Sequence, residues 1–551
     1  MLLALPLLAP VLQGQGAPAF SHAACAAFDV KRYDLAFDVD PAEKRLRGTV
    51  VVHAEVTAPT LAALVLDMDG DLEAERILVD GAEVAGAHAD DRLTVPLPRP
   101  AQKGARLAVT VEYSGSPREE DDFTGFHWAE TADKQPWIST SCQGPGARFW
   151  WPCKDSFFHP EDKPDEGTRT AITVPAGLYA VSNGRLQGID ELPDGRRTFR
   201  WAHPYPLETY SVTLDAAPYV VVESTLPVEG GGTVPWIYYA VPEDAEKAAL
   251  QFQQVPELIA IYQKAFGPWP FPDSQVALVE TSFWGMEHST AVAYGSSFPA
   301  WCAAHGEKDR YAGRNRDYDY ILIHETAHEW WGNAVSASAW GHFWIHEGFG
   351  TYAEGVYLEE TAGRERADAF FERTGQRLAP DARLYRGDGV DSGAAYSGVI
   401  YSKGACVLNT LRHFVADDEA WWKALRAFNL RFRYGNASSD DFRAVLEETT
   451  GRPFKRFFDE WVYGEGQPKV SGTVRAAGST IVVEVDNAAT GATTFGVPLD
   501  LAWTEGGEPR TQRLWLEPGP SAHTLPCGAP PAGLSAVHLA RVLGDHDVRV
   551  E

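Results

Sequence analysis

Two histidines bracket a short segment, His324-Glu325-Thr326-Ala327-His328. Residues four apart lie one above the other on a helix, so both rings reach one point in space only if this segment is helical. The apolar Ile321, Leu322, Ile323 and Ala327 supply such a helix and its buried side. Glu325 follows the first histidine directly, where its carboxylate can polarise a water beside an ion held by the rings. The plainer account is two helix histidines satisfied by ordinary hydrogen bonds. Glu347 weighs against that account. It follows His328 by nineteen residues, in Trp344-Ile345-His346-Glu347-Gly348-Phe349, at the start of a second helical stretch. Catalytic zinc takes three protein ligands and keeps a fourth position for water, so His324, His328 and Glu347 form a candidate ligand set for one zinc ion per chain. Glu354 lies on the same face as Glu347, two turns further on. It reads either as a carboxylate that orients a zinc-bound imidazole or as a surface charge.

The rest of the chain changes period twice. From about residue 31 to 217, short alternating runs (49–56, 106–113, 170–174, 209–214) are broken by Gly, Pro and Asp, the pattern of antiparallel strands. After Gly230-Gly231-Gly232 the spacing becomes helical, with Ala245, Ala248, Ala249, Phe252 and Val255 recurring at three- and four-residue steps. It continues through 318–331, 345–359, 402–414 and 440–449 and ends near 454–462. From Ser471 short strands return at 481–485, 497–503 and 512–516. A chain of 551 residues accommodates three or four domains at about 150 residues each. The expected architecture is multi-domain α+β. An N-terminal antiparallel β domain spans 26–217, a mainly helical catalytic domain 218–467, and a small C-terminal β-sandwich 468–551.

Composition excludes some roles. A net charge of −28 repels phosphate backbones, so nucleic acid is not an expected partner. No run approaches the roughly 20 apolar residues of a transmembrane helix. Residues 2–12 form a shorter apolar run, followed by Ala17 and Ala19, which reads as a leader over 1–25 and an exported protein: periplasmic, extracellular or lipid-anchored. No Lys or Arg precedes Lys31, so the basic start of such a leader is missing. The alternatives are an apolar extension packed on the protein, or lipidation at Cys25. Of the six cysteines none forms a Cys-x-x-Cys pair. Cys142 and Cys153 would close a short loop as a disulfide in an exported protein, or are buried free thiols.

The pattern His324-Glu-x-x-His328, eighteen residues, Glu347 resembles the signature of peptidase family M1, the gluzincin zinc aminopeptidases. The likeness extends through His328-Glu329-Trp330-Trp331-Gly332-Asn333 and Trp340-Gly341-His342-Phe343-Trp344. It implies a thermolysin-like catalytic domain, zinc, and peptide substrates with a free N-terminus. Three further segments resemble family motifs. Gly285-Met286-Glu287 is similar to Gly-x-Met-Glu-Asn, whose Glu holds the substrate's α-amine; here Trp284 replaces the first Gly and His288 the Asn. The likeness makes Gly285, Met286 and Glu287 substrate-binding residues. The segment from Tyr396 to Gly404 resembles the one carrying the catalytic tyrosine, which maps onto Tyr401. A phenol suits that role, since it donates to an oxyanion and stays protonated at neutral pH. Cys142-Gln143-Gly144-Pro145-Gly146-Ala147-Arg148 resembles a first-domain loop that reaches the active site, and Gln143 would add a contact near the substrate amine. Many members carry a long helical fourth domain; residues 468–551 read as strands instead, which implies a three-domain member with a more open cleft.

The function expected from these residues is zinc-dependent cleavage of the N-terminal peptide bond, with Glu325 as general base and acid and Tyr401 stabilising the oxyanion. The alternatives are an endopeptidase or an epoxide hydrolase on the same zinc site, or a non-enzymatic peptide-binding relative. Loss of Glu325 or Tyr401 would mark the last, and both are present.

Overall fold

In strand Arg45–Val56 every second residue from Leu46 to Val56 is turned inward. Leu46, Val50 and Val52 are fully buried there. Repeated along the chain, this period-two burial builds an eight-stranded sheet. Its central strand Phe28–Asp40 pairs antiparallel with Arg45–Val56 and parallel with Thr168–Val174. A three-stranded sheet and a five-stranded sheet complete the N-terminal region. The computed structural model describes residues 25–121, 124–142, 144, 146–155, 162–308, 318–376 and 383–551. The expected leader, up to residue 24, and Gln143 lie outside them.

One expected strand is absent. Residues 209–214 alternate in sequence, yet they form a 3-10 turn at Thr209–Ser211 followed by extended chain that joins strand Asp215–Ala217. The cause is side-chain competition for the backbone. The Thr213 amide donates to Asn183 Oδ1 at 2.9 Å, and the Leu214 amide to Thr140 Oγ1 at 3.0 Å. With those donors taken, no strand ladder forms. Cys142 and Cys153, both buried, are free thiols.

The helical region begins with a sheet of its own, ordered Val220–Pro227, Thr233–Ala240, Val276–Glu280, Val292–Tyr294, Gly285–Met286. The last two strands are antiparallel, with Gly285 opposite Tyr294. Phe283, Met286 and Ala293 belong to the same buried core as Phe28, Val50 and Trp150, so the end of this sheet is anchored in the N-terminal β region.

Contacts within the chain group it into two compact units. The first runs as far as Trp340 and includes 391–394 and 432–437; the second contains Gly341–Val390, Ala395–Arg431 and Ser438–Glu551. Helices of the second unit include Trp344–Ala362, Gly398–Val415 and Ser439–Thr450. The last starts at a capping box in which Ser438 and Asp441 each accept from the other's backbone amide. A four-stranded and a three-stranded sheet then close the chain, with Val474, Ile481 and Val483 of one and Val497, Leu499 and Leu501 of the other buried. Sheets, then helices, then sheets is the order the sequence implies. Among the described residues no helix is long and apolar enough to cross a membrane.

Candidate functional site

Helix Tyr320–Ala327 carries the first histidine and ends at the second. Asp319 caps its start, accepting from the Leu322 amide at 3.2 Å. The other oxygen of the same carboxylate accepts from Gln251 Nε2 and from the Tyr294 hydroxyl, both at 2.7 Å. Tyr262 donates to the Ile323 carbonyl at 2.8 Å. These long-range bonds fix the helix before any ion is considered. Its apolar side, Ile321, Leu322 and Ile323, is fully buried.

His328 caps the helix end in helical conformation. Its Nδ1 lies 2.8 Å from the Trp331 carbonyl, a group that only accepts, so Nδ1 carries the proton and Nε2 keeps its lone pair. That Nε2 stands 3.2 Å from Nε2 of His324. The two rings therefore aim at one point. Tyr320 stacks on His324 at 5.2 Å between centroids and 22° between planes. Glu325 lies between the two buried histidines and is itself part-exposed, where a carboxylate must be to exchange protons with a substrate. Gly285 faces it: a Cβ on Gly285 would lie 3.5 Å from Glu325 Oε1 and only 2.7 Å from Ile321. Bare backbone is required at that position.

Beyond His328 a buried polar network ties the metal-binding helix to the Glu287 segment. Glu329 accepts from the Thr290 amide at 2.6 Å and from Ser289 Oγ at 3.3 Å. Asn333 Nδ2 donates to the Glu287 carbonyl at 2.9 Å, and its Oδ1 accepts from Ser211 Oγ at 3.1 Å. Thr290 has φ of +59°, a strained value for a β-branched residue. It is held there by Glu329 and by the Gly184 amide, which donates to Thr290 Oγ1 at 2.8 Å. Burial pushes the Glu329 carboxyl up to about 8. His288, standing where the family motif has Asn, is buried; desolvation, with the His127 charge as a smaller cause, pushes it down to about 3. It is a neutral ring at any working pH. Glu329 and Asn333 lie inside a motif, yet no role for them is legible in the sequence, because their partners lie up to 122 positions away.

In the second unit Glu347 sits in the first turn of helix Trp344–Ala362 and is 1% exposed. Glu354, on the same helix, is 2% exposed, which removes the surface-charge reading. Tyr401 occupies the first turn of helix Gly398–Val415 and is part-exposed. Two residues on, Lys403 is buried and donates to the Gly466 carbonyl at 3.2 Å; burial lowers it to about 8.

Among the described residues one group has the makings of a metal centre. Ligand atoms of His324, His328 and Glu347, all buried, lie within 4.8 Å of one another. Two imidazole nitrogens and one carboxylate match a catalytic zinc site, which keeps one position open. Gln143 is outside the described residues, so its expected contact is not part of this geometry.

Two family descriptions match the chain: Peptidase M1 N-terminal domain over residues 30–211 and Peptidase family M1 domain over residues 250–461. Aminopeptidase M1-D of Oryza sativa subsp. japonica is 24% identical over 479 residues, 83% of this chain and 52% of that protein. Aminopeptidase N of Streptomyces lividans is 25% identical over 441 residues, 75% of this chain and 46% of its own. Aminopeptidase B of Homo sapiens is 27% identical over 408 residues, covering 69% and 58%. The chain thus spans about half the length of the curated relatives it matches. In fold it is similar to the crystal structure of an M1 zinc metallopeptidase variant from Deinococcus radiodurans bound to a Tyr-Ser-Ala substrate. That likeness has a TM-score of 0.64 at 23% identity and covers 79% of this chain and 94% of the other.

Proposed function

This chain belongs to peptidase family M1, and from that premise we propose that it is a zinc-dependent aminopeptidase. The observation that carries the reading is the buried group His324, His328 and Glu347, a donor set suited to one zinc ion per chain. When bound there, the metal would supply a Lewis acid at the carbonyl of the bond to be cut. Glu325 takes the proton of the attacking water and returns it to the departing amine. Tyr401 donates its hydroxyl hydrogen to the oxyanion that forms. Glu287 holds the substrate's ammonium by a charge-assisted hydrogen bond, with Gln143 as a second contact, and Gly285 and Met286 line the peptide beside it. Glu354 is the candidate for orienting a zinc-bound imidazole. Export is proposed on the apolar run at 2–12 and the small residues Ala17 and Ala19 that follow it.

The test joins metal analysis to turnover. Purified protein should contain about one zinc per chain and release 4-nitroaniline from amino-acid 4-nitroanilides, with chelator abolishing the activity. His324→Ala and Glu347→Ala should lose zinc and activity together. A fully active, metal-free preparation would overturn the reading.

A further inference from the structure

Trp284 stands one residue before the end strand of the Val220–Tyr294 sheet. Among the described residues Gly285–Met286 has a single strand partner, Val292–Tyr294, so its far side faces no other strand of that sheet. Trp284 is part-exposed, and its ring lies 5.9 Å from that of Tyr320, also part-exposed. Tyr320 in turn stacks on His324. An aromatic run therefore leads from the sheet end to a metal-binding ring. The chain entering it is fixed. Thr281 donates through its amide to the Tyr294 carbonyl at 2.9 Å and through Oγ1 to the Phe283 carbonyl at 3.2 Å. Phe283 is buried against His127, 4.9 Å between centroids. The backbone leading into Trp284 is therefore fixed by the fold.

The next step rests on the aminopeptidase reading. A peptide whose ammonium is held at Glu287 can lie along Gly285–Met286 as an added strand, running antiparallel, from Glu287 back toward Trp284. At about 3.3 Å per residue the stretch from Glu287 to Trp284 is roughly 10 Å. The first substrate residue occupies the Glu287 end. The second, the one released as the new N-terminus, starts about 3.3 Å along that path, and a long planar side chain on it spans the remaining distance toward the aromatic pair. We propose that Trp284 and Tyr320 form a subsite for the second substrate residue, selecting a planar aromatic side chain there. A glycine at 284 would leave that wall bare. An indole supplies a face on which a ring can stack, with Tyr320 closing the side toward His324.

The experiment holds the first residue constant. Zinc-loaded wild-type protein is given Ala-Phe-Ala, Ala-Leu-Ala and Ala-Gly-Ala, and kcat/KM is measured for each by mass spectrometry. Wild type should prefer Phe over Gly by about tenfold or more, the scale of one ring stack with its buried area. Trp284→Gly should bring that ratio toward one. Trp284→Leu, which keeps apolar bulk and guards against a folding defect, should lose the preference for Phe over Leu while still favouring Leu over Gly. Trp284→Phe should restore the Phe preference. Zinc content and melting temperature of each variant accompany the ratios. Wild-type cleavage of all three peptides without preference, or an unchanged ratio in Trp284→Gly, would overturn the subsite alone. No cleavage of any of them would overturn the aminopeptidase reading, and the subsite with it.

Discussion

Gly404 and Gly348 touch backbone to backbone: a Cβ built on Gly404 would stand 2.6 Å from the Cα of Gly348. The two glycines join helices Gly398–Val415 and Trp344–Ala362 within one unit. Gly348 follows Glu347, and Gly404 lies one turn after Tyr401. The contact therefore sets the spacing of the helix that carries the proposed third ligand and the helix that carries the proposed oxyanion donor. No side chain intervenes.

Gly404→Ala tests that spacing. Helix propensity alone favours alanine by about 1 kcal/mol. The contact opposes it, since backbone at 2.6 Å cannot yield as a flexible side chain would, and overpacking costs about 1–3 kcal/mol. The expected outcome is a lower melting temperature and weaker zinc retention in competition with a chelator. A variant at least as stable as wild type would mean that the helices part freely.

Glu325→Gln separates chemistry from metal binding. The amide keeps the shape and leaves the ligand set intact, so zinc content should stay at the wild-type level while turnover collapses. Tyr401→Phe should likewise keep zinc and lose about 3 kcal/mol of transition-state stabilisation, roughly a hundredfold in kcat. Wild-type rates in either variant would remove the assigned role.

Asn333 holds the Glu287 backbone carbonyl from the metal-binding helix side, and so positions the proposed ammonium anchor without touching substrate. Asn333→Ala should raise KM for peptides with a free amine more than it lowers kcat, with zinc unchanged. N-acetylated peptides should be poor substrates for wild type, since Glu287, only 2% exposed, would face a group without charge. Cleavage of blocked and free peptides at similar rates, followed by mass spectrometry, would favour an endopeptidase.

Asp215 makes stability depend on pH. Burial raises its carboxyl from 3.8 to about 8, and Thr213 Oγ1, donating at 2.8 Å, offsets only part of this. The folded state then holds a proton that the unfolded chain has lost, so between about pH 4 and 8 stability falls as pH rises. One proton corresponds to about 1.4 kcal/mol per pH unit. Asp215→Asn removes that term and should flatten the fall in melting temperature from pH 5 to pH 8. An unchanged slope would mean that Asp215 is charged in the folded protein.

Much of the molecule was legible from letters alone because its signals are local. Leu46, Val50 and Val52 alternate on one strand, and Ile321, Leu322 and Ile323 pack the buried side of the metal-binding helix. His324 and His328 share a helix face at any four-residue spacing, and their pairing needed no knowledge of the rest of the chain.

Tertiary structure decided what depends on distant partners. The 209–214 run has the alternation of a strand, but Asn183 and Thr140 take its amides. Glu354 reads equally as surface or interior until its neighbours bury it. Glu329 and Asn333 acquire purpose only from Ser289, Thr290 and Glu287. Gly348 and Gly404, 56 positions apart in the sequence, matter through a contact neither motif announces. Periodicity records which face of an element is apolar, a property of residues within a few turns. Which amide meets which carboxylate, and where two backbones touch, follows from how whole elements pack, and sequence spacing carries no trace of it.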